Sequence, residues 1–140
     1  MSLILSMKNK ERVKKFGEIF TPKELVNEVL DKLSQDLFKN PHKTYLDPSC
    51  GDGAFLVEVL ERKIKNGIDY EQALSTIYGV DILEDNVELC RKRLLGKNSH
   101  LEHIVEKNIV CADALRYHYR FDGTDPYKTA KDMQFDKLFG

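Results

Sequence analysis

The stretch that most restricts the fold is Tyr45-Leu46-Asp47-Pro48-Ser49-Cys50-Gly51-Asp52-Gly53-Ala54-Phe55. Thr44, Tyr45 and Leu46 read as a short buried strand, and Ala54 onward reads as a helix. Between them lies a loop holding Gly51 and Gly53 and the carboxylates of Asp47 and Asp52. Strand, glycine turn and helix are the ingredients of a nucleotide-type cofactor site, because glycine accepts positive φ and a helix start presents unpaired N–H groups. The same order also describes a plain tight turn joining a strand to a helix. The charges narrow the ligand. A phosphate cradle wants N–H donors and basic residues, yet no Lys or Arg lies between Thr44 and Glu61. The carboxylates repel a pyrophosphate and favour an ammonium or a sulfonium, leaving the loop N–H groups for a carboxylate. S-adenosylmethionine carries all of these groups and no phosphate.

Strand and helix patterns alternate around this loop. Phe20-Thr21-Pro22-Lys23-Glu24 is a helix start, with Thr21 as cap, Pro22 at the first helical position and Glu24 completing a capping box. Leu25, Val26, Val29, Leu30 and Leu33 follow as one apolar stripe, and Asn40-Pro41 closes the segment. Phe20, just before the cap, either packs on this helix or lines a pocket. In Ala54 to Lys65, Leu56, Leu60 and Ile64 point inward with Phe55 and Val59, while Glu58, Glu61, Arg62 and Lys65 take the wet side. Asn66-Gly67 is a natural stop, and Tyr70 to Ser75 adds a short helix.

Ile77 to Ile82 reads as a second buried strand, ending in Asp81. Asp85 to Leu95 is the next helix, with Val87, Cys90 and Leu94 inward and Gly96 past its end. Asp85 and Glu88 stand at capping-box spacing. That leaves Asp81 either as a cap or solvated strand end, or, as we favour, for the ribose hydroxyls of an adenosine, with Ile82 against the ring. Lys97 to Lys107 reads as a loop with a helical turn. Ile109 to Ala112 is a third strand, and Asp113 after it either caps the next segment or reaches an adenine amino group. Arg116 to Met133 reads as an irregular connection, and Phe135 to Phe139 as a fourth strand.

This order predicts an α/β fold: a partial doubly wound, Rossmann-like parallel sheet of about four strands with helices on both faces. Right-handed crossovers put the ligand at the carboxyl ends of the strands, where Asp47, Asp81 and Asp113 all fall. The 140 residues suit one domain. We place it at residues 17–140, after a basic leader at 1–16 whose Lys8, Lys10, Arg12, Lys14 and Lys15 either touch phosphate or form a solvated, frayed terminus. With 22 basic and 23 acidic residues, any nucleic-acid surface must be local. No apolar run approaches a membrane span, and Met1 to Met7 is too short for a secretory signal. Cys50, Cys90 and Cys111 are odd in number and lack a Cys-x-x-Cys pair, which argues against a disulfide framework or a zinc site and suits a reducing cytoplasm. His42, His100, His103 and His118 are scattered and read as surface residues.

Several of these segments, in order, resemble an S-adenosylmethionine-dependent N6-adenine DNA methyltransferase of restriction–modification type. Gly17-Glu18-Ile19-Phe20-Thr21-Pro22 resembles the leading Phe-Thr-Pro motif, and Asp47-Pro48-Ser49-Cys50-Gly51-Asp52-Gly53-Ala54-Phe55 the cofactor loop. Gly79-Val80-Asp81-Ile82 and Cys111-Ala112-Asp113-Ala114-Leu115 resemble the next motifs. The resemblance implies that Thr21 helps hold the methionine carboxylate and that Asp47, Gly51 and Gly53 surround the methionine part. It also implies that Asp81 binds the ribose, Ile82 packs on adenine and Asp113 meets the adenine amino group. With their neighbours Phe20, Pro22, Ser49 and Ala114, these are the candidate cofactor-binding residues. The implied partner is DNA, whose target base leaves the stack and is methylated without a covalent enzyme intermediate.

One departure is large. In that family the fourth strand, Phe-Asp-x-x-x-Gly, runs straight into Asn-Pro-Pro-Tyr or Asn-Pro-Pro-Phe, which holds the flipped adenine. Here Phe135-Asp136-Lys137-Leu138-Phe139-Gly140 is the end of the given sequence. The expectation is therefore a cofactor-binding portion with no catalytic residue of its own, inactive alone, with most DNA contacts elsewhere. An open sheet edge adds an expectation of self-association, a partner chain or a disordered tail. The alternatives are an RNA or protein-glutamine methyltransferase, a non-catalytic cofactor-binding or assembly module, and a nicotinamide-dependent oxidoreductase. The acidic loop and the lack of Gly-x-Gly-x-x-Gly disfavour the last.

Overall fold

The computed structural model describes residues 21–139; the basic leader, Phe20 and Gly140 lie outside the described residues. The elements are α1 (Lys23–Asp31), a 3-10 turn (Gln35–Phe38), β1 (Tyr45–Asp47), α2 (Ala54–Lys65), α3 (Tyr70–Leu74) and β2 (Ile77–Asp81). They continue with α4 (Glu84–Leu95), a second 3-10 turn (Ser99–Leu101), α5 (Glu102–Asn108), β3 (Ile109–Cys111) and α6 (Ala130–Phe139). The strands form one parallel sheet in the order β1-β2-β3. Tyr45 pairs with Ile77 and Asp47 with Gly79, while Gly79 pairs with Ile109 and Asp81 with Cys111.

The strands' period-two alternation divides the core. Tyr45, Ile77 and Ile109 face the main cluster, where Val26, Val29 and Leu30 of α1, Phe55, Leu56, Val59 and Leu60 of α2, and Val87, Cys90 and Leu94 of α4 are all buried. Leu46, Val80 and Val110 face the other way, into a smaller cluster with Ala112, Ala114, Tyr117 and Phe121. The expected flanking helices are present, and among the described residues they gather on one face. Helices α1 to α5 pack in the main cluster, and an aromatic connection after β3 covers the second face.

Gly79 explains how closely α2 and the loop sit on β2. A Cβ there would stand 2.8 Å from Leu56 Cδ1 and 3.0 Å from Cys50 Cβ. One charged position also departs from expectation. Glu58 is buried, not on the wet side, and lies 3.7 Å from Lys23 Nζ. Lys63, on the same helix, is fully buried and donates to Thr76 Oγ1 at 2.7 Å and to the Lys43 carbonyl.

The expected fourth strand is a helix. Phe135, Leu138 and Phe139 fit helical spacing as well as a short apolar run. The start carries a reciprocal cap: Thr129 Oγ1 accepts from Asp132 N–H and Asp132 Oδ2 accepts from Thr129 N–H, both at 3.0 Å. Lys128 and Asp136 pair across the next turn. None of its residues is buried. Among the described residues the sheet therefore has three strands. The expected caps of two earlier helices also differ. Pro22 precedes α1 as its cap residue and Leu83 precedes α4, and neither supplies a side-chain cap. No helix among the described residues is long and apolar enough to cross a membrane.

Candidate functional site

The loop after β1 folds back over the sheet: Cys50 N–H donates to the Val80 carbonyl at 2.9 Å, and Gly53 N–H to the Cys50 carbonyl at 2.9 Å. Asp47 is buried at the strand end, and its Oδ1 accepts from Ser49 N–H at 3.0 Å. Gly51 has φ of 54° and Gly53 of 92°, a region that strains any side chain. Gly53 also lacks room, since a Cβ would stand 2.8 Å from Cys90 Sγ. As cap residue of α2 it leaves the first helical N–H groups facing the loop.

The carboxyl ends of β2 and β3 lie beside this loop. Asp81 is buried; its Oδ2 accepts from Leu83 N–H at 3.3 Å and from Asn86 Nδ2 at 3.1 Å. The expectation that Asp85 would cap α4 and spare Asp81 is corrected, for Asp81 itself bonds the turn into α4, while Asp85 Oδ1 accepts from Asn86 N–H. Ile82 next to it is 59% exposed, an aliphatic face open at the strand end. Asp113 is half-buried, and its Oδ1 accepts from Leu115 N–H at 2.9 Å, so it does shape the following turn. Ala114 follows, half-buried. Thr21 and Pro22 lead into α1, which packs on α2.

Four contributors were invisible in the motifs. Arg93 reaches from α4 to Asp52, with Nη1 at 2.8 Å from its carboxylate and 3.2 Å from its carbonyl. The loop has no basic residue in sequence but acquires one in space. Asn86 orients Asp81 from five positions on, a spacing that marks neither a strand nor a helix face. Tyr119 and Tyr127 reach Ala114 and Asp113 from a connection with no periodic pattern. Burial pushes the Tyr119 hydroxyl pKa up, and the Asp113 charge adds to it. The exposed Cys111 thiol is also pushed up, by burial and then by Glu84 and Asp81.

A groove on the helical side, about 530 Å³, is lined by Lys23, Val57, Glu58, Leu60, Glu61, Ile64, Tyr70 and Arg93. No residue of the glycine loop or the strand ends lines it. The chemistry gathers at the strand ends instead.

A parallel α/β sheet with a glycine loop after its first strand and carboxylates at or just past the ends of its three strands defines a partial Rossmann-like fold. Comparison with known proteins is more specific: the N-6 DNA Methylase family model matches residues 2–138, and the chain belongs to that family. It is 36% identical over 121 residues to the Type II methyltransferase M.VspI of Vibrio sp. (strain 343), covering 86% of this chain and 25% of that protein. It is 35% identical over 101 residues to the modification methylase CviBIII of Paramecium bursaria Chlorella virus NC1A, covering 69% of this chain and 26% of that protein. The chain spans about a quarter of the length of these curated relatives.

Proposed function

We propose that this chain is the cofactor-binding portion of a DNA adenine-N6 methyltransferase of restriction–modification type, with S-adenosylmethionine as methyl donor. The observation that carries this is the placement of Asp47 and Asp81 as the last residues of adjacent parallel strands, with Asp113 two residues past the end of the third, beside a loop whose glycines admit close approach. The donor set fits the cofactor. Asp47 suits the ammonium, and the loop N–H groups with Thr21 suit the carboxylate. Asp81, fixed by Asn86, suits the ribose hydroxyls. Ile82 offers an apolar face to a purine, and Asp113 with Ala114 offers a polar edge. When bound, S-adenosylmethionine supplies a methyl group on a positively charged sulfur. The residues here bind and orient; the base to be methylated is held by other parts of the protein.

DNA as substrate rests on the family and on the names of the relatives. Calorimetry of the chain with S-adenosylmethionine and, separately, with NAD tests the cofactor reading. Binding of the former alone supports it. Binding of NAD alone, with its diphosphate against residues 47–53, overturns it.

A further inference from the structure

We propose that Tyr119 and Tyr127 are positioning residues that set the adenine-facing turn at Asp113 and Ala114, and thereby the preference for a 6-amino over a 6-oxo purine. This rests on the cofactor reading above. Tyr127 Oη accepts from Asp113 N–H at 2.8 Å, and Tyr119 Oη donates to the Ala114 carbonyl at 2.6 Å. Both residues proposed to meet the purine edge are thus held on their main chain by a phenol from the same connection.

The braces are themselves held. The Arg116 guanidinium lies 4.6 Å from the centre of the Tyr127 ring. Tyr117 packs on Tyr119 with ring centres 4.8 Å apart. The connection closes on itself, as His118 N–H donates to the Pro126 carbonyl at 3.2 Å. Tyr119 sits at φ of 54°, an unfavourable conformation for a bulky side chain that persists only where surroundings enforce it. A mere connector has no need of that strain. Here it turns the Tyr119 hydroxyl back onto Ala114.

The geometry gives the turn a direction. Asp113 Oδ1 is occupied by Leu115 N–H, which leaves Oδ2 as the acceptor for an exocyclic amino group. A 6-oxo purine offers no donor there. If the turn loosens, the amino-specific bond weakens, while contacts to the ribose and the methionine part stay.

The test is calorimetry of the chain and of Tyr127→Phe and Tyr119→Phe with S-adenosylhomocysteine and with its inosine counterpart. Loss of one hydrogen bond predicts a drop of about threefold to tenfold for the adenosine ligand in either variant. The inosine ligand should change less than about twofold, so the ratio narrows. Amide exchange at Asp113 should speed up in Tyr127→Phe, a readout independent of any ligand. Equal losses for both ligands, or unchanged affinities and unchanged exchange, overturn the proposal. An unsubstituted chain that binds neither ligand while binding NAD overturns the cofactor reading instead.

Discussion

Arg93 Nη1 lies 2.8 Å from the carboxylate of Asp52, joining the middle of α4 to the glycine loop. The pair is partly solvated, so its direct contribution is modest, about 0.2–1 kcal/mol. Arg93→Gln should lower the thermal midpoint by no more than about 4 °C, with the deficit shrinking in high salt. It should also raise the preference for S-adenosylmethionine over S-adenosylhomocysteine, whose sulfur carries no charge, because Asp52 is no longer compensated. Calorimetry with both ligands checks this; an unchanged or inverted preference would count against a cationic-sulfur site.

Gly53→Ala tests the loop's backbone. The substitution places a Cβ at φ of 92° and 2.8 Å from Cys90 Sγ. Strain and overlap together should cost about 2–3 kcal/mol. Combining it with Cys90→Ala removes the overlap but not the φ strain. The cycle should therefore show a favourable coupling of about 1 kcal/mol in urea unfolding. Strict additivity would mean that the loop simply moves away from α4.

Gly79→Ala probes the contact between β2 and the helical layer. Leu56 Cδ1 and Cys50 Cβ crowd the new methyl, and overpacking of this kind costs about 1–3 kcal/mol. Cys50 N–H also bonds the Val80 carbonyl, so the shift should reach the loop. Cofactor affinity should fall along with stability; a stable variant with normal affinity would contradict the close packing.

Lys63 and Tyr45 make stability depend on pH at the alkaline end. Desolvation lowers the Lys63 pKa below its ordinary 10.5. The unfolded chain then binds more protons between the folded value and 10.5, so this group makes stability rise with pH across that window. Tyr45 has the opposite sign. Its buried hydroxyl is pushed from 10.0 up to about 12, mainly by desolvation and against a smaller effect of Arg62. The folded state therefore keeps a proton that the unfolded state loses, and stability falls between pH 10 and about 12. Lys63→Met should flatten the rise and Tyr45→Phe the fall, each read as the difference in urea midpoint from the unsubstituted chain.

Elements governed by local periodicity were legible in the sequence. Ala54 to Lys65 is a helix at the expected residues, and Val87, Cys90 and Leu94 of α4 point inward as their spacing requires. The glycine loop and the three strand-end carboxylates are where the alternation put them. Long-range pairing was not legible. Glu58 and Lys63 are charged letters on an amphipathic helix, and only Lys23, Thr76 and the Lys43 carbonyl explain their burial. Arg93 lies 41 residues from Asp52. The segment from Phe135 to Phe139 supports either period, and the Thr129–Asp132 cap decides for the helix. The strand expected there was read from a short apolar run, which carries no period of its own.

Cys90 is wholly buried under Gly53, whereas Cys111 is exposed. Alkylating reagents should therefore modify Cys111 first, and the buried Cys90 only when the glycine turn lifts off α4. With Cys111 and the buried Cys50 both replaced, the slow labelling of Cys90 becomes a clock for how often that turn breathes, and a ligand clamped on the turn should slow it.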